Sequence, residues 1–211
     1  MEITNPSDGL YDLRYGEAQA RDIPQEYKNL ALEWLKPKRD DVVLEVGMGS
    51  GDMLEFLRQY SDNVIGVDIN KDFLQAHPKE KIAAMDARRL AVRDGVIDKS
   101  ISLHTLEHIP QVDEVIRELD RVTKEGGLCF LVFPNPRFHP AEGALTEATR
   151  LTKNPFKIWG LAKKLHPIDL TPDLFRASLE GTNWTVDQFE NIHVPVEKGY
   201  SWGVLLRKRT Q

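Results

Sequence analysis

The segment Glu45-Val46-Gly47-Met48-Gly49-Ser50-Gly51-Asp52 constrains this chain more than any other. It follows directly on the apolar run Val42–Val46 and directly precedes a helical pattern, Met53-Leu54-Glu55-Phe56-Leu57. Glycines at alternate positions let the backbone turn tightly and let a ligand approach main-chain N–H groups with no Cβ in the way. A run that is apolar throughout reads as a strand buried on both faces, which belongs to a parallel sheet. The same unit recurs without any sequence repeat: a β-branched run, a turn, then a helical pattern. That alternation predicts an α/β fold around a parallel sheet. Predicted strands cover 42–46, 63–68, 81–86, 99–103 and 128–133, with helices over 25–35 and about 112–122. Pro110 is a candidate first residue of the latter helix. Glu125-Gly126-Gly127 is expected to turn the chain into the fifth strand. Near the end, 184–194 and 201–206 are joined through Glu197-Lys198-Gly199 and predict an antiparallel hairpin at the sheet edge.

The loop spacing is GxGxG. A dinucleotide loop is written GxGxxG and faces a pyrophosphate, and here Asp52 stands where its third glycine belongs. An acid at that point repels a pyrophosphate but tolerates a ligand carrying an ammonium or a sulfonium. Two further acids close predicted strands. Asp68, ending the second, can accept two hydrogen bonds from a ribose diol. Asp86, ending the third, can accept from an exocyclic amine, with Ile69 and Ala87 offering apolar contact to an adenine ring. Each acid alone is equally a helix cap or a solvated turn. Together with the loop they lie in order at three successive strand ends, where a cationic nucleoside would sit.

From Trp34 to Phe133 the chain resembles the class I S-adenosylmethionine-dependent methyltransferases, in particular the broad group that methylates small molecules. EVGMGSG is similar to that family's first motif, Asp68 in VIGVDIN to its ribose-binding acid, and Asp86 in AAMDARRL to its adenine-reading acid. His166 to Trp184 is similar to a late segment of the family, with Asn183-Trp184 in place of the family's Gly-Phe. The resemblance implies a Rossmann-like, seven-stranded, mostly parallel sheet with helices on both faces and a reversed last strand, in agreement with the hairpin. It also implies S-adenosylmethionine as cofactor, held by Glu45, Gly47, Gly49, Gly51, Asp68, Ile69, Asp86, Ala87 and His104, and a small-molecule acceptor.

The fourth strand runs into His104-Thr105-Leu106-Glu107-His108. This matches H-x-x-E-H, in which two His one helical turn apart hold zinc. That geometry needs a regular helix, whereas these residues follow a strand and precede Pro110, so no metal is expected. Beside a reactive methyl, His104 is instead the first candidate for a catalytic base, being mostly neutral at pH 7. His108, His139 and His166 stand behind it. His108 is also a candidate acceptor contact or a packing residue. Asn135, after the fifth strand, is placed to bond an acceptor. Tyr15, with Tyr11, is either an aromatic wall over a sulfonium or a surface residue of the terminus.

One domain is expected over 1–211, with an N-terminal cap at 1–24 and a lid-like insertion at 137–168. The insertion carries Phe156, Ile158, Trp159 and Leu161 beside Lys157, Lys163 and Lys164. It reads as a solvated surface segment, a lid over the crevice, or, through 153–165, a helix lying on a membrane surface. With 28 Lys+Arg against 33 Asp+Glu, the formal charge is −5. The pI near 5.7 argues against DNA, since nucleic-acid binders run roughly above 9. The single Cys129 excludes a disulfide framework, and with a start that is not signal-like it predicts a cytoplasmic protein. Competing readings are a lipid-like or macromolecular acceptor, a non-catalytic nucleoside-binding module and, more remotely, a zinc peptidase or a nicotinamide oxidoreductase.

Overall fold

The structure, a computed structural model, describes residues 23–73, 81–135, 167–195 and 199–210. Helix α1 (Gln25–Leu35) stops at Lys36, which turns left-handed and donates its N–H to the Leu32 carbonyl ahead of Pro37. Then follow β1 (Val42–Val46), α2 (Asp52–Leu57), β2 (Asn63–Asp68), β3 (Ile82–Ala84), β4 (Ile97–Leu103), a single 3₁₀ turn (Leu106–His108), α3 (Val112–Val122), β5 (Thr123–Pro134), α4 (Pro172–Ser178), β6 (Trp184–Val194) and β7 (Gly199–Lys208).

The seven strands form one sheet in the order β3-β2-β1-β4-β5-β7-β6. β3, β2, β1, β4 and β5 are mutually parallel, while β7 runs antiparallel to β5 and pairs with β6. The chain moves outward from β1 to β3, then returns to place β4 on the other side of β1. This switch in direction opens a crevice at the carboxyl ends of β1 and β4, the place where open α/β sheets take ligands. The glycine loop starts there.

Helices cover both faces. Tyr27, Ala31, Trp34 and Leu35 of α1 and Met53, Leu54 and Leu57 of α2 pack on Val43, Phe130, Val132 and Leu205. Val112, Val115, Ile116, Leu119 and Val122 of α3 pack on Leu44, Val46, Leu131 and Val204 from the other side. Strand side chains alternate between faces, so a strand covered on both sides must be apolar throughout. Each such side chain, once buried, contributes roughly 1.5–3 kcal/mol.

Three local expectations are corrected. β3 is only three residues long, so Asp86 lies beyond it, in a turn bridged to Arg89. Pro110 precedes α3 instead of opening it; the helix begins at Val112 with Gln111 as its cap. Glu125-Gly126-Gly127 does not separate α3 from β5 but bulges within β5, because Thr123 already pairs with Ile97 before Leu128 resumes against Lys99. The N-terminal cap at 1–24 falls almost wholly outside the described residues, as does the lid at 137–168. Among the described residues no helix is long and apolar enough to cross a membrane.

The irregular chain between β3 and β4 is held on α3 by charge. Glu118 accepts from the Leu90 amide at 2.7 Å and from Arg121 Nε and Nη2 at 2.8 and 2.7 Å. Arg121 also reaches the carbonyls of Leu90 and Val92. The Arg121 bonds hold the Glu118 carboxyl below its usual range. Its contribution is therefore present above pH 4.5 and is lost as pH falls through that lowered value. Glu118→Gln is expected to destabilise the fold by about 1–2 kcal/mol at pH 7. In chemical denaturation the gap between variant and wild type should close as pH falls below 4.5 and through the lowered value; a gap unchanged with pH contradicts the account.

Candidate functional site

The glycine loop completes the β1–β2 ladder. The amides of Gly47 and Met48 both donate to the Val67 carbonyl, at 2.8 and 3.1 Å, and Gly51 donates to the Met48 carbonyl at 2.8 Å. Gly47, Gly49 and Gly51 take φ of +75°, +49° and +83°, a region costly for L side chains. Two of them meet opposite surroundings. A Cβ on Gly47 would sit 2.1 Å from Thr105 Oγ1, just past β4, whereas one on Gly49 would meet nothing within 4 Å. The loop thus rests on the end of β4 at Gly47 and opens to the crevice at Gly49.

Three acids, Glu45, Asp52 and Asp68, lie about it. Glu45 is 2% exposed, and its Oε2 is buried with no hydrogen-bond partner. Burial, then the nearby Asp68 and Asp52, push its carboxyl well above the usual range. Asp68 accepts from the Gly49 amide through Oδ2 at 3.0 Å and from the Asn70 amide through Oδ1 at 2.8 Å. Burial raises its pKa against the pull of those amides. Ile69 is exposed beside it, while Ala87 is buried against the α3 face. Asp86 differs from the expectation of a waiting acceptor: Arg88 clamps both its oxygens, with Nε at 3.0 and 3.1 Å and Nη2 at 2.7 Å, and holds its carboxyl low. The rest of the crevice, with an orphaned buried carboxylate oxygen and two further acids, suits a cation and opposes a pyrophosphate.

The H-x-x-E-H segment is not one helix. His104 ends β4 with φ +50°, and only Leu106–His108 form a 3₁₀ turn. His104 Nδ1 lies 3.3 Å from Glu107 Oε1. Its Nε2 lies 3.0 Å from the hydroxyl of Tyr27, which donates to Ser201 Oγ at 3.0 Å. A proton-accepting role for His104 therefore requires one of its bonds to open. His108 closes the 3₁₀ turn, near enough to Asp68 to oppose slightly the rise that burial imposes on that carboxyl. Among the described residues no group of three or more His, Cys, Asp and Glu is placed to hold a metal ion. Asn135 is buried, donating through Nδ2 to Asn191 Oδ1 at 2.9 Å and through its amide to the Tyr200 carbonyl. Tyr15, Tyr11, His139 and His166 lie outside the described residues. Sequence reasoning missed Tyr27, Thr105 and Ser201. Tyr27 falls on the inward stripe of α1 with Ala31 and Trp34, where it is indistinguishable from core.

These features define a doubly wound α/β domain with an acidic crevice at its switch point. Residues 44–131 match the methyltransferase domain family model, and this part of the chain is similar to the domains of that family. A ubiquinone biosynthesis O-methyltransferase of Pseudomonas aeruginosa is 34% identical over 98 residues, 42% of this chain and 42% of that protein. The chain thus spans less than half the length of that curated relative. An S-adenosylmethionine-dependent methyltransferase from Mesorhizobium loti superposes with a TM-score of 0.65 at 16% identity, covering 84% of this chain and 96% of the other. The geranyl diphosphate C-methyltransferase of Streptomyces coelicolor, solved with S-adenosyl-L-homocysteine, gives 0.60 at 14% identity, covering 88% and 79%. At these identities the two structures speak for the fold.

The contrast between the two glycines is testable. Gly47→Ala adds a methyl on top of Thr105 at positive φ and is expected to cost about 3 kcal/mol or more. Gly49→Ala carries only the backbone strain, about 1 kcal/mol. Equal losses in denaturant titrations contradict the packing described.

Proposed function

We propose that this chain transfers a methyl group from S-adenosylmethionine to a small-molecule acceptor. The observation that carries the reading is the crevice itself: a glycine loop bonded to Asp68 and opening at Gly49 among acids. When bound, the cofactor supplies a methyl group already activated by its positive sulfur. The chain's own residues hold it. Asp68 takes the ribose diol, Ile69 and Ala87 flank the adenine, and Asp86 meets its amine once Arg88 yields. Glu45 and Asp52 oppose the positive charge. The protein's main contribution is positioning, which can supply about 7–11 kcal/mol. His104 accepts the acceptor's proton where one must leave, with the Tyr27 hydroxyl turned away from Nε2. His108, Asn135 and Tyr15 shape the acceptor side. The names of the relatives, ubiquinone biosynthesis among them, support a small and partly apolar acceptor, and the apolar, basic stretch 153–165 suits a lid over it or contact with a lipid surface.

The test is transfer of labelled methyl from S-adenosylmethionine to a panel of phenolic, prenyl and amine acceptors. Asp68→Ala is expected to weaken cofactor binding tenfold to a hundredfold, the loss of charge-assisted bonds of about 1.5–3 kcal/mol. Calorimetry showing unchanged affinity contradicts the site.

Glu45 gives a pH signature. Its raised carboxyl binds a proton in the fold that the unfolded chain has already released, so its presence costs stability increasingly as pH rises from about 4.5, its ordinary value. Relative to Glu45→Gln, the ligand-free wild type is expected to lose melting temperature across that range. Parallel melting curves for the two proteins contradict the assignment.

A further inference from the structure

We propose that Tyr27, Glu107 and Ser201 are positioning residues of the crevice, acting through His104 to seat Thr105 beneath the glycine loop. The proposal rests on the reading of that loop as the cofactor site. Among the described residues only two non-glycines take positive φ, Lys36 and His104. Lys36 ends a helix, where a left-handed residue is ordinary. His104 ends a buried parallel strand, where nothing in the ladder asks for it. Such a conformation persists only where the surroundings over-determine it.

The His104 amide donates to the Val132 carbonyl at 2.9 Å, still in register with β5. Its ring is gripped on both nitrogens, by buried Glu107 two residues beyond Thr105 and by Tyr27 from α1, with Ser201 of β7 behind Tyr27. The left-handed turn this fixes sends the next side chain, Thr105, back across the end of β1. There Thr105 fills the space a Gly47 side chain would need, and its hydroxyl lies 3.4 Å from the Val46 carbonyl and 3.2 Å from that of Leu103. Ser102 donates to the same Val46 carbonyl at 2.9 Å. The root of the loop is thereby clamped from β4, and the clamp is held in turn by a helix and a strand distant in sequence. Tyr27 and Glu107 bond the His104 ring, and Ser201 bonds Tyr27. Through these bonds their effect on the loop passes by way of His104.

That dependence gives a cycle of variants. In the full chain, His104→Ala should weaken S-adenosylhomocysteine binding by tenfold or more in calorimetry, since alanine neither keeps the network nor favours positive φ. His104→Gly should bind threefold or more tighter than His104→Ala, because glycine takes the turn without the network. Tyr27→Phe keeps the ring and loses the hydroxyl; it should weaken binding threefold to tenfold in the wild-type background and leave His104→Gly unchanged. The Gly47 amide resonance of the ligand-free protein provides a second readout. Tyr27→Phe and Glu107→Gln should shift it when His104 is present and not when it is glycine. Alanine and glycine behaving alike at 104, or Tyr27→Phe acting equally in both backgrounds, overturns the proposal. If wild type does not bind S-adenosylhomocysteine, the cofactor reading fails, and the Gly47 resonance still decides whether the clamp exists.

Discussion

The Val67 carbonyl accepts from two consecutive loop amides, Gly47 and Met48, so the last rung of the β1–β2 ladder is made by the glycine loop itself. One residue on, the Asp68 carboxylate takes the Gly49 amide at 3.0 Å. The loop is therefore an extension of the sheet, carried past its edge by three left-handed glycines. Its position follows from the parallel pairing of β1 with β2 on one side and β4 on the other. Apolar burial on both faces maintains that pairing. A residue with a side chain at 47 would collide with Thr105 and lift the loop from β4, and the crevice would lose its floor.

Charge then decides what the crevice can hold. A helix start with free amides would attract phosphate, but Asp52 opens α2 and Glu45 is buried behind it. Leaving Glu45 without a hydrogen bond on Oε2 carries a cost that no packing gain offsets, since an apolar residue would fill the same space without it. A cationic partner makes sense of that cost. The net charge of −5 is in part the sum of such local arrangements and says little by itself about what binds.

Much of the fold was legible because buried parallel strands must be apolar without interruption: the bounds of β1 and β2 follow directly from the runs in the sequence. Asp68 was visible as an acid closing such a run, and its order with the glycine loop and Asp86 set it apart from an ordinary cap or solvated turn. What could not be read depends on contacts across the chain. Arg88 lies two residues from Asp86, yet the pair forms only because β3 stops early and leaves a turn. Tyr27 and His104 meet across 77 positions, and no periodicity in α1 separates a core tyrosine from one bonded to a strand end. Asn135 binds Asn191 through the register of the hairpin, which the sequence leaves open. The bulge at Glu125–Gly127 looked like a boundary because glycines mark both.

The central claim is that this crevice takes a cationic or phosphate-free nucleoside and refuses a dinucleotide. Calorimetric titration of the purified chain with S-adenosylmethionine, S-adenosylhomocysteine and NAD measures it directly. The account predicts saturable one-to-one binding of the first two and none of NAD. Binding of NAD at comparable affinity, with no heat from either adenosyl compound, would contradict it.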